Sequence, residues 1–139
     1  MKFTATIYVD GIENSYKAVE LYREAFGLSL GYNLSYEDVE GLKKWGLNIA
    51  NDYVPQRGYF HANLERDGET VFSVSAEGES VTPKESEFIQ LIMEMGCEEA
   101  VKKAVYVLSE GKITPHDEGW NPCAAGVTDQ FNVSWCICV

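Results

Sequence analysis

At 139 residues, with 45% apolar and 24% charged side chains, the chain has the length and composition of one globular domain that can bury its own core. That excludes a disordered segment and a scaffold dependent on disulfide staples. A formal charge of −11 argues against nucleic acid or an anionic membrane as partner, because both reward clustered Lys and Arg. The acid excess reads as solvated surface, with a site selecting cationic ligands as the alternative.

The N-terminal "MKFTATIYVDG" alternates and meets Asp10 too early for the apolar region of a signal peptide. No apolar run approaches the roughly 20 residues that span a bilayer. The four cysteines, Cys97, Cys123, Cys136 and Cys138, lack CxxC spacing and are expected as reduced thiols. Together these features predict a cytoplasmic protein.

In "KFTATIYVD", Phe3, Ala5, Ile7 and Val9 alternate with Thr4, Thr6 and Tyr8, the period of a half-buried strand. After Gly11, Asn14 or Ser15 offers an N-cap. Ala18, Leu21, Tyr22, Ala25 and Phe26 then form one helical stripe that Gly27 stops. "LSLGYNLS" is the next strand. "YFHANLERDGETVFSVSA" reads as a hairpin turning at Asp67-Gly68. Between them, Val39, Leu42 and Trp45 suggest a short helix within a longer excursion ended by Pro55, which is a lid, a dimer contact or a packed connection.

The order then repeats. "ESEFIQLIMEM" is a strand, and "GCEEAVKKAVYVLSEG" is a helix with Ala100, Val101, Ala104, Val105 and Leu108 on one face and Gly111 at its end. "KITPHDEG", "PCAAGVTD" and "VSWCICV" complete a second set of strands. Ala18 and Ala100, Val19 and Val101, and Phe26 and Leu108 share one spacing of 82 residues. The prediction is an α+β fold in a single domain over 1–139, made of two βαβββ modules at about 1–80 and 86–139.

With that order in hand, "YVDG", "AVELYREAFG", "FHANLERDGETVFSVSA", "EEAVKKAVYVLSEG" and "GVTDQFNVSW" resemble the vicinal oxygen chelate superfamily of glyoxalases, bleomycin-resistance proteins and extradiol dioxygenases. Within it they look like the PhnB-like branch. The resemblance implies a curved mixed-sheet cup, often completed by homodimerisation, and in catalytic members a divalent metal. It would place ligands at Thr4 or Thr6, among Val71 to Ser75, near Phe88 to Gln90 and at about Cys136. Only Gln90 is a plausible ligand at those places apart from the Cys136 thiol, so no metal or other cofactor is expected. Cys136 and Cys138 share one strand face and are expected to pack as small hydrophobes.

Among the polar residues, His61 shares a strand face with Asn63 and Glu65. It is the best single candidate for a general base or for a group that binds an anionic or carbonyl-bearing ligand, the alternative being a histidine hydrogen-bonded at the sheet surface or a dimer contact. "PHDEGW", with His116, Asp117 and Glu118, reads as a solvated connection. The aromatics Tyr8, Tyr32, Tyr59, Phe72, Trp120 and Trp135 are candidates for pocket walls or for core. The predicted ligand-binding set is Thr6, Tyr8, His61, Asn63, Gln90, Trp120 and Trp135. No phosphate loop, Ser-His-Asp spacing or zinc-finger spacing is present. The expected function is a metal-free, homodimeric cup for a small organic molecule. The rival is a glyoxalase- or dioxygenase-type enzyme, a lyase or isomerase among the options, in which Gln90, His61 and Cys136 hold a metal.

Overall fold

Alternation along the first strand, β1 (Thr6–Asp10), buries Ile7 and Val9 and leaves Thr6 and Tyr8 outside, as a two-residue period requires. These and the following elements come from a computed structural model that describes residues 4–77, 90–114 and 124–139. The chain divides into two compact units: Met1–Arg23 with Leu28–Thr82, and Glu24–Gly27 with Pro83–Val139.

Helix α1 (Ile12–Phe26), which belongs to the first unit as far as Arg23, starts before the expected Asn14 or Ser15 cap. Ser15 instead lies within the first turn, where its hydroxyl bonds back to the Ile12 carbonyl at 2.5 Å and accepts the Tyr59 backbone N–H at 2.8 Å. That pins the helix to the strand it covers. At the other end the Leu28 N–H reaches the Arg23 carbonyl across Gly27, the expected stop. Strand β2 (Ser29–Ser35) and the short helix α2 (Val39–Lys44) follow, α2 capped by the Asp38 carboxylate on the Gly41 N–H at 3.0 Å. Leu42 is its buried anchor.

β3 (Tyr59–Arg66) and β4 (Glu69–Glu77) form the predicted hairpin. Asp67 and Gly68 both take positive φ, 52° and 78°, as a type I′ turn demands. The sheet order is β1-β4-β3-β2, with β1 parallel to β4 and the other pairs antiparallel. One face carries Ala62, Leu64, Phe72 and Val74, all buried, and Phe72 meets Tyr22 of α1 edge to face at 5.6 Å.

The second unit repeats this plan among its described residues. β5 (Leu91–Glu94) leads into α3 (Glu98–Leu108), which buries Val101, Ala104, Val105 and Leu108. β6 (Ala124–Thr128) and β7 (Ser134–Cys138) complete a sheet of order β5-β7-β6, in which β5 runs parallel to β7 and β6 antiparallel to it. The first and last strands of each unit are thus parallel neighbours, the shared signature of a βαβββ module, and the fold is α+β with two such modules and mixed sheets. Of the predicted strand "KITPHDEG", Lys112 to Thr114 are not strand and the rest lies outside the described residues.

On β7 the alternation runs opposite to the expectation for the cysteines. Trp135 and Ile137 are buried, whereas Cys136 and Cys138 occupy the less buried face. The larger apolar side chains take the core side because they bury more area per residue. No helix among the described residues is long and apolar enough to cross a membrane.

Candidate functional site

Sheet register builds the site in the first unit. β1 sets Tyr8 against Ser75 and Thr6 against Ser73. β3 sets Asn63 against Ser73, which brings His61 opposite Ser75, and Leu34 of β2 pairs with His61. One row across the four strands is therefore Tyr8, Ser75, His61 and Leu34, on the face turned away from the Phe72 and Val74 side.

Ser73 and Ser75 are buried polar groups, and each has a partner on β3. Ser75 Oγ lies 3.1 Å from His61 Nδ1, and His61 Nε2 lies 2.7 Å from Asn63 Oδ1, which also accepts the Ser73 hydroxyl at 2.8 Å. With Nε2–H donating to Asn63, the Nδ1 lone pair accepts the Ser75 hydroxyl. The imidazole is held at both ends. Chemically, this chain of bonds fixes the ring, and Ser75 Oγ, with its proton given to His61, keeps acceptor capacity.

Above this row lies a cavity of about 300 Å³ lined by Tyr8, Tyr32, Leu34, Trp45, Phe60, His61, Ser75 and Ala76. An irregularity of β2 between Leu30 and Asn33 breaks its pairing at Tyr32, whose ring centre lies 6.5 Å from that of His61. Trp45, just after α2, donates its indole N–H to the Tyr32 hydroxyl at 3.0 Å. Trp45 stays 61% exposed, too open for a core residue and well placed to wall a cavity. Aromatic walls, a few polar atoms and, among the described residues, no acidic or basic side chain in the lining apart from His61 are the usual make-up of a small-molecule pocket.

Of the predicted ligand-binding residues, Tyr8 and His61 line this cavity, and Asn63 orients His61. Thr6 is exposed on β1 beside Ser73. Gln90 is exposed just before β5, in the second unit. Trp135 is only 1% exposed, donates to Asp129 Oδ2 at 2.8 Å and packs 4.9 Å from Phe26, so it is core of the second unit. Trp120, with His116, Asp117 and Glu118, lies outside the described residues. Tyr59 stacks on Tyr16 at 6.3 Å, and burial, with Glu20 next in effect, pushes its phenol above the ordinary 10.0. Ser75, Phe60 and Trp45 were not foreseen as lining. The alternating serines of "FSVS" were the available signal for Ser75; nothing local marks Trp45 as a wall.

No protein-family model and no curated protein matches the sequence. Solved structures do match its fold. Protein PA1353 from Pseudomonas aeruginosa aligns at a TM-score of 0.63 and 16% identity, over 99% of this chain and 97% of that one. A PhnB protein from Bacillus cereus gives 0.58 and 15%, over 99% and 98%. A possible glyoxalase from Bacillus cereus gives 0.56 and 13%, over 100% of both chains. The fold is thus the glyoxalase-like one, shared over the full length with glyoxalase-like and PhnB-like proteins. At such identities the likeness speaks for fold, and the chemistry rests on this chain's own side chains.

The residues at the places where the resemblance would put a divalent metal in the first unit do not fit such an ion. Thr6, Ser73 and Ser75 offer neutral hydroxyls, a poor match for an ion that must replace its hydration. Both nitrogens of His61 are already engaged. Among the described residues no three His, Cys, Asp or Glu side chains converge.

Proposed function

We propose that this chain is a PhnB-like cup that binds a small, flat organic molecule in the aromatic cavity of its first unit, as a homodimer and without the superfamily's metal. The observation that carries the reading is the wall of Tyr8, Tyr32, Trp45 and Phe60 over the fixed His61 and Ser75 row. Electron-rich ring faces and a net charge of −11 favour a cation, since ring quadrupoles attract positive charge at close range. A ligand N–H would meet the acceptor lone pairs of Ser75.

Thermal melts with 9-aminoacridine, indole and benzoate test this. Ligand at a hundredfold excess over its Kd stabilises by about 2.7 kcal/mol, which raises the melting temperature by several degrees. The order expected is 9-aminoacridine, then indole, with no shift from benzoate. A panel without any shift would overturn the binding reading, and light scattering giving the mass of one chain would overturn the dimer. The rival reading, a metal-dependent lyase, isomerase or dioxygenase using Gln90, His61 and Cys136, requires His61 to release Ser75 or Asn63. Stoichiometric Zn, Mn, Ni or Fe(II), together with metal-dependent activity lost in His61→Ala, would establish it instead.

A further inference from the structure

The less buried face of β7 holds a pair of thiols that the cavity reading does not use. Cys136 and Cys138 are free, two residues apart on one strand face, and both partly exposed. Their backbones are about 6.6 Å apart, two residues at about 3.3 Å each, and their side chains project in parallel. A disulfide needs Cβ atoms within about 3.5–4.5 Å, so these two cannot close one without bending the strand. Two metal–sulfur bonds of about 2.3 Å in line span about 4.6 Å, and the two sulfurs reach that separation when each side chain leans about 1 Å toward the other, which needs no change in the strand.

The neighbouring strands leave room for such an atom. Gly126 of β6 is the cross-strand partner of Cys136, and a Cβ built on Gly126 meets nothing within 4 Å. A strand-interior glycine with open space above it marks a place where a ligand can approach. On the other side, Ile92 and Glu94 of β5 pair with Cys136 and Cys138. Both are exposed, and Glu94 brings negative charge to the rim. The Cys138 thiol donates to the Met93 carbonyl of β5 at 3.8 Å, a weak bond that a metal–sulfur bond would replace.

We propose that Cys136 and Cys138 form a two-thiolate site for a soft cation that favours linear sulfur coordination, of the Cu(I) or Hg(II) kind. Binding exchanges two S–H protons for two S–metal bonds, with no change of oxidation state, and the protons leave to solvent. Soft thiolates select such ions over the hard divalent metals. Cys138 and a soft ion form no part of the superfamily's set, and this site stands whether or not the first unit's cavity binds its ligand.

The test uses one equivalent of Hg(II) on the full chain with glutathione in excess, followed by N-ethylmaleimide labelling and peptide mapping. The expected map shows Cys136 and Cys138 protected together while Cys97 is labelled. Cys136→Ser or Cys138→Ser should each release protection of the remaining thiol at least tenfold, and Cys97→Ser should not. Gly126→Leu should weaken protection with both thiols still reactive. Protection of neither thiol, of one alone, or protection lost with Cys97→Ser would overturn the site. Should a serine variant fail to fold, the map of the unaltered chain decides by itself.

Discussion

His61 is held by two hydrogen bonds, and removing its ring withdraws a partner from Ser75, which is 7% exposed, and from Asn63. Leaving a buried polar group unpaired costs about 1–3 kcal/mol, so His61→Ala should lower stability by that amount in urea unfolding; an unchanged midpoint would mean the row is not formed. Gly58 is a second sensitive residue. A Cβ there would lie 2.1 Å from the Ile12 carbonyl oxygen, and that oxygen belongs to backbone that cannot swing away. Gly58→Ala should therefore cost at least about 1–3 kcal/mol, read from the same measurement, because α1 must move off β3. Neither effect was legible beforehand. Period-two alternation placed His61 and Asn63 on one face, but which serine lies opposite depends on the offset between strands, and alternation within one strand does not fix that offset.

Elements were far more legible than contacts, because propensity and punctuation act locally. Asp67-Gly68 predicted its own turn type, and the stripes of α1 and α3 predicted most of the buried residues, though Leu21 and Ala100 are only half-buried and Val19, outside the stripe, is fully buried. The start of α1 was misjudged because Ser15 looks like a cap, whereas its hydroxyl is used to tie the helix to β3. That junction also predicts a pH response. Burial raises the phenol of Tyr59, and burial with Tyr53 nearby raises that of Tyr36. The folded state then holds both protons more tightly than the unfolded chain. Their contribution is complete below 10.0 and is lost as pH climbs through the raised folded values. Urea unfolding from about pH 9 upward should show stability falling past 10, more gently in Tyr59→Phe; an identical slope in the variant would refute the assignment.

At the scale of the whole chain, the repeated βαβββ order and the 82-residue spacing of helix positions anticipated the α+β fold that the solved structures share. Composition and charge limited the partners without choosing one. The cavity itself was only half visible. Tyr8, Tyr32 and His61 come from strands whose faces can be read, but Trp45 arrives from an irregular excursion whose path depends on tertiary packing, anchored by Leu42. The account's central claim is that this cavity is the binding site, and the chain contains its own reporter and its own control. The Trp45 indole N–H bonds to Tyr32 at the cavity wall, while that of Trp135 bonds to Asp129 in the core of the other unit. The most direct test is a proton–nitrogen NMR titration of the indole signals with 9-aminoacridine, assigned with Trp45→Phe and Trp135→Phe. The account predicts a saturable displacement of the Trp45 signal with Trp135 unmoved; a Trp45 signal that stays in place while melting or the Trp135 signal responds would contradict it.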